Sequence, residues 1–166
     1  MARALIVGCG CRGRELGAEL LERGWQVRGT SRTDHGAAAI ESSGWEGAVA
    51  DPDRPGTILD LVGDVTVVVW LLGSATGPTE AVEAIHGPRL ERLLEKLVDT
   101  PVRGFAYEAA GSVPGSILGA GRELVARAEA TWRIPVATLD SVRDADGWAA
   151  ASAALVSGLL GADQPG

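Results

Sequence analysis

Ala4-Leu-Ile-Val-Gly-Cys-Gly-Cys-Arg-Gly13 joins four apolar residues directly to a run of alternating glycines. A short apolar run that stops at glycine fits a strand buried on both faces. Residues of about 12–23 then place Leu16, Leu20 and Leu21 on one helical face, with charges between them, and Gly24 is a natural helix stop. Strand, glycine loop and helix in that order give the Gly8-x-Gly10-x-x-Gly13 spacing its meaning. Gly8 permits a tight turn, Gly10 lets a phosphate approach the backbone, and Gly13 lets the helix lie close on the strand. The helix N-terminus adds unpaired N–H groups and the positive end of its dipole.

The alternation continues along the chain. Trp25–Gly29 reads as a second strand, Ala37–Ser42 as a weak helix, Ala48–Ala50 as a third strand and residues 54–62 as a short helix. Val65–Leu72 is the strongest strand signal, and residues 79–98 read as one long amphipathic helix carrying Leu90, Leu93, Leu94 and Leu97. Val102–Tyr107 is a fifth strand. A glycine-rich loop, Gly111–Gly121, leads into a helix through Trp132, Pro135–Leu139 is a sixth strand, and an alanine-rich helix follows. Strands separated by helices imply parallel βαβ units. The expected fold is α/β: one three-layer, doubly wound Rossmann domain over residues 1–162, with about six parallel strands and helices on both faces. Residues 163–166 are expected to fray.

That context makes a dinucleotide the expected ligand, and the end of the second strand bears on which one. An NAD site usually carries Asp or Glu there for the ribose 2′-hydroxyl. Here the segment is Arg28-Gly-Thr-Ser-Arg32, with no carboxylate before Asp34. Arg32 suits a 2′-phosphate, with Thr30 and Ser31 as hydroxyl donors and Arg12 as a second guanidinium at the lip of the loop. NADP is therefore expected over NAD. Gly8, Gly10, Cys11, Arg12 and Gly13 form the expected phosphate loop.

Further segments resemble the extended and atypical short-chain dehydrogenase/reductase family, in its nucleoside-diphosphate-sugar epimerase-like branch. They are Gly24–Arg32, Ala50-Asp-Pro-Asp53, Trp70-Leu-Leu-Gly73 and Gly121-Arg-Glu-Leu124 with Glu129. The resemblance runs from Ala4 to about Leu139. It implies that Asp51 contacts adenine and that Leu71 and Leu72 line the nicotinamide ribose. It also implies a catalytic Ser/Thr at the end of the fifth strand, then Tyr and, four residues later, Lys. The corresponding segment is Phe105-Ala-Tyr-Glu-Ala-Ala-Gly-Ser-Val-Pro-Gly115. If Val113-Pro-Gly115 replaces that family's Val-Tyr-Gly, the tyrosine becomes Pro114, the serine pair becomes Ala109-Ala110 and the lysine becomes Leu118. Composition agrees: Tyr107 is the only tyrosine, Lys96 is the only lysine, and the lysine comes first. No Tyr-x-x-x-Lys occurs in the sequence. Tyr107, Glu108 and Ser112 are the remaining candidates for acid–base chemistry near that site. The resemblance further implies a C-terminal region that covers the nicotinamide, whereas here one helix follows the sixth strand.

A formal charge of −7 without a long basic run argues against general nucleic-acid binding. The longest uncharged stretch, Gly147–Ala162, is shorter than the ~20 residues of a membrane span. It reads as a buried or subunit-facing helix. A homo-oligomer is expected, a dimer through this C-terminal helix being one arrangement, with Trp148 marking the contact. Trp70 and Trp132 are expected in the core. Cys9 and Cys11 read as small residues filling a tight loop, a low-pKa thiolate being the alternative, and suggest a reducing cytoplasm. His35 and His86 lack metal-ligand spacing, so no metal is expected. Asp140, Ser141, Asp144 and Asp146 read as helix caps rather than a metal site. Three functions remain open: a redox-cofactor sensor or regulatory subunit, a small NADP-dependent oxidoreductase with unusual acid–base groups and a site completed by a partner subunit, and a scaffold.

Overall fold

The computed structural model describes residues 2–161, so the expected frayed tail lies outside the described residues. The chain runs β1 (Arg3–Val7), α1 (Cys11–Glu22), β2 (Gln26–Ser31), α2 (Asp34–Glu41), β3 (Glu46–Val49), α3 (Pro55–Leu59) and β4 (Val67–Trp70). It continues through α4 (Thr79–Ile85), α5 (Pro88–Leu97), β5 (Gly104–Glu108), α6 (Gly115–Trp132), β6 (Val136–Leu139) and α7 (Trp148–Gly161). The strands form one parallel sheet in the order β3-β2-β1-β4-β5-β6. This is the doubly wound Rossmann order, and the α/β expectation holds.

Strand residues alternate between two cores. Leu5, Val7, Val68, Trp70, Phe105 and Tyr107 face a layer built with Ile58, Leu90, Leu93, Leu94, Leu97 and Val125, from α3, α5 and α6. Ala4, Ile6, Val67, Val69, Leu71 and Ala106 face the opposite layer, where Leu16 and Leu20 of α1 meet Trp148, Ala153, Val156 and Leu159 of α7. Burial on both faces explains why β4 is Val-Val-Val-Trp with no polar alternation. Strand order reverses between β1 and β4, which opens a crevice beyond their C-terminal ends.

Four expectations change. The helix expected over 79–98 is two helices, broken at His86–Gly87. Pro88 starts α5, and proline disfavours the α conformation in the residue before it, so Gly87 adopts φ −128°, ψ −109°. The loop expected over Gly111–Gly121 ends early: Gly115–Gly121 is already helical, because Pro114 serves as N-cap and Gly121 makes room for the Tyr107 hydroxyl. Trp132 is 36% exposed at the end of α6 rather than in the core. There Arg133 takes a left-handed conformation, φ 57°, and ends the helix. Trp148 is only 3% exposed and is enclosed by its own chain, so it marks no free dimer surface.

Candidate functional site

The switch point holds a cleft of about 350 Å³. Its floor is the glycine loop. Gly8 has φ +86°, and a Cβ there would lie 2.6 Å from the carbonyl oxygen of Leu71 and 2.8 Å from Leu72 Cδ2. No other residue fits both the turn and the gap. Gly10, the N-cap of α1, has nothing within 4 Å of its Cβ direction, so the backbone is open to a ligand there. A Cβ on Gly13 would press against Cys9 Sγ at 3.3 Å and Leu71 Cδ2 at 3.3 Å, a measure of how tightly α1 sits on the sheet.

The wall on the β2 side comes from Thr30, Ser31, Arg32 and Gly36, and Ala50 and Pro52, after the neighbouring β3, also line the cleft. Strand β2 runs two residues further than expected and carries Thr30 and Ser31 to the rim. Arg32 is exposed and has no hydrogen bond or ion pair among the described residues. Asp34 lies in the first turn of α2, beyond the lining. Asp51 is adjacent to the cleft but outside its lining, and its carboxylate accepts the backbone N–H of Asp53 at 2.9 Å.

Arg14 lines the cleft and Arg12, expected at its lip, does not. Arg12 donates to Glu15 at 2.8 Å and borders a separate surface groove with Asp144 and Asp146. Arg14 lines the cleft and also donates to Cys11 Sγ at 3.2 Å. Cys11 is exposed outside the lining; Cys9 is buried beneath Gly29, where burial pushes its thiol up to about 12. Cys9 is thus a packing residue rather than a thiolate.

The β4–β5 side has a different character. Leu71, Leu72, Ser74, Ala75, Thr76 and Arg143 line it. Glu108, at the end of β5, has no exposed surface. Its Oε1 accepts the Gly73 N–H at 2.7 Å, and its two oxygens accept Arg143 Nη2 and Nε, each at 2.8 Å. Arg143 Nη2 also donates to the Leu71 carbonyl at 3.0 Å. Tyr107 is fully buried behind this wall, its hydroxyl 2.7 Å from His86 Nδ1 and 3.3 Å from the Leu118 carbonyl. His86 Nε2 lies 2.9 Å from the Leu72 carbonyl, so that nitrogen carries the proton and Nδ1 accepts from Tyr107 when the ring is neutral. Burial holds His86 below its ordinary value and raises the Tyr107 phenol far above its own. Ser112 is exposed outside the cleft lining, with its N–H on Ser74 Oγ at 3.2 Å. Of the three acid–base candidates, two are therefore enclosed and hydrogen-bonded within the fold.

No protein-family model matches the chain, and no curated protein matches it. Solved structures do. A UDP-glucuronic acid 4-epimerase from Bacillus cereus, in complex with NAD, superposes with TM-score 0.69 at 17% identity, over 84% of this chain and 56% of that one. A Citrobacter sp. triphenylmethane reductase complexed with NADP(H) gives TM-score 0.63 at 18% identity, over 83% and 49%. A short-chain dehydrogenase from Streptomyces avermitilis gives 0.60 at 15% identity, over 85% and 64%. The fold is shared. The chain spans about half to just under two thirds of the length of these proteins.

Arg14, Ser74, Thr76 and Arg143 also line the cleft, beyond the residues expected from the sequence. Arg14 was within reach, being in the first turn of α1. Arg143 had no local signal. Among the described residues no group of three or more His, Cys, Asp or Glu side chains could hold a metal ion. No helix among them is long and apolar enough to cross a membrane.

Proposed function

We propose that the cleft binds a nicotinamide dinucleotide, NADP in preference to NAD, and that the protein serves as a redox-cofactor sensor or regulatory subunit rather than an ordinary short-chain reductase. The observation that carries this reading is the charge of the lining. Arg14, Arg32 and Arg143 stand on it and no Asp or Glu does, in a chain of net charge −7. A site of that composition selects an anion-rich ligand. The first turn of α1 offers its N–H groups to the pyrophosphate over Gly10. Arg32, with Ser31 and Thr30 beside it, supplies the planar donor fork that suits a 2′-phosphate.

The regulatory half of the proposal follows from where the polar groups go. Tyr107 is buried, Glu108 is consumed by Gly73 and Arg143, and the chain contains no Tyr-x-x-x-Lys. A bound nicotinamide supplies hydride-transfer chemistry, and this chain's residues bind and orient it. The test is the Arg32→Ala variant. Its NADPH affinity falls by roughly tenfold or more, the worth of a charge-assisted hydrogen bond, while NADH affinity is unchanged. Equal affinities for NADPH and NADH in the unmutated protein contradict the NADP assignment.

A further inference from the structure

Arg143 is held by one edge and free on the other. Nε and Nη2 are spent on Glu108 and the Leu71 carbonyl. Nη1 has no hydrogen-bond partner among the described residues and is not among the buried unpartnered atoms, so it reaches solvent from a side chain that lines the cleft. Glu108 holds the guanidinium plane from behind through two 2.8 Å bonds, and Gly73 holds Glu108 in turn. A guanidinium fixed in this way has lost its rotamer freedom before any ligand arrives. The acids nearest in sequence point elsewhere: Asp144 borders the Arg12 groove and Asp140 is paired with Arg122. Ser74 and Thr76 add hydroxyl groups to the same end of the lining. The free donors there have no acidic neighbour on the cleft wall.

We propose that Arg143 is the carboxylate-binding residue of a second ligand subsite, which takes a small organic acid at the β4–β5 end of the cleft. The inference deepens the dinucleotide reading, because it places this acid beside the end of the cleft that Leu71 and Leu72 line. A carboxylate adds the attraction of opposite charges to the hydrogen bond that a neutral carbonyl would also accept, an attraction that Glu108 behind the guanidinium reduces but does not remove. Glu108 is a positioning residue: it touches Arg143 and not the ligand.

The test titrates oxamate, and then its uncharged counterpart oxamide, into the protein by calorimetry, with and without saturating NADPH. Oxamate binds and oxamide binds about tenfold more weakly or not at all. The variant Glu108→Gln/Arg143→Met removes both charges together, keeps an acceptor for the Gly73 N–H, and loses oxamate binding while its circular dichroism stays native. Equal binding of oxamate and oxamide, no oxamate binding to an NADPH-saturated protein, or undiminished oxamate binding in the double variant overturns the subsite. The oxamate–oxamide comparison needs only the unmutated chain and does not depend on the variant folding. If NADPH does not bind but oxamate does, and is lost in the double variant, the subsite stands and the dinucleotide reading falls.

Discussion

The two halves of the sheet treat their polar groups in opposite ways. Around β1 and β2, Gly10 is open, Arg32 is unpaired among the described residues, and Thr30, Ser31 and Arg14 stand on the cleft wall. Around β4, β5 and β6, Tyr107, His86 and Glu108 turn inward and satisfy one another or the backbone. The first half leaves polar groups open to the cleft. In the second half Tyr107, His86 and Glu108 hold the fold, while Arg143 keeps one edge outside. A buried polar group must be paired or it costs stability. The contrast therefore predicts that substitutions on the β4–β5 side damage folding and those on the β1–β2 side damage binding.

The largest effect comes from breaking the Glu108 pair. Arg143→Leu strands a carboxylate with no exposed surface and costs about 3 kcal/mol of folding stability, as removing one partner of a buried pair does. Chemical denaturation measures the loss, and adding Glu108→Gln restores most of it. An Arg143→Leu protein as stable as the parent would mean that this half is not organised around the pair.

Gly8→Val sharpens the contrast from the other side. It forces a β-branched residue to φ +86° and drives Cβ against the Leu71 carbonyl, at a cost of roughly 2 kcal/mol. Its larger consequence is on NADPH binding, which is lost because the turn that presents Gly10 cannot form. Denaturation and titration together separate the two effects.

The smallest effect is a pH dependence. Burial holds His86 below its ordinary value of 6.5, so the unfolded chain takes up the proton first as pH falls. The contribution of the neutral, hydrogen-bonded ring is complete above that value and is lost progressively below it, toward the lower folded value. Denaturation midpoints measured across this range decline on the acid side, and His86→Gln flattens that decline.

Much of this architecture is legible in the sequence because its signals are local. The apolar run before Gly8 reads as β1 and the valine-rich run Val65–Leu72 as β4, and Gly8 and Gly10 of the glycine loop line the cleft. The failures share a physical cause. The leucines of α5 showed the right period, but that period is silent about where a helix begins, and Gly87-Pro88 set the break. Arg12 and Arg14 are two residues apart, which turns them about 200° from each other on a helix. Only the docking of α1 on β1 decides which of them meets the cleft. Trp132 and Trp148 have the same composition and opposite fates, because one ends a helix at the rim and the other lies between α7 and the sheet. Glu108 and Arg143 are separated by 35 residues and meet only once β5 and β6 are adjacent.

We propose that the β1–β2 half binds a dinucleotide. Its most direct test is titration of the folded, unmutated protein with NADPH and, separately, NADH, followed by nicotinamide fluorescence and tryptophan quenching. Saturable NADPH binding in the micromolar range and distinctly weaker NADH binding are the expected results. A folded protein that binds neither would contradict it.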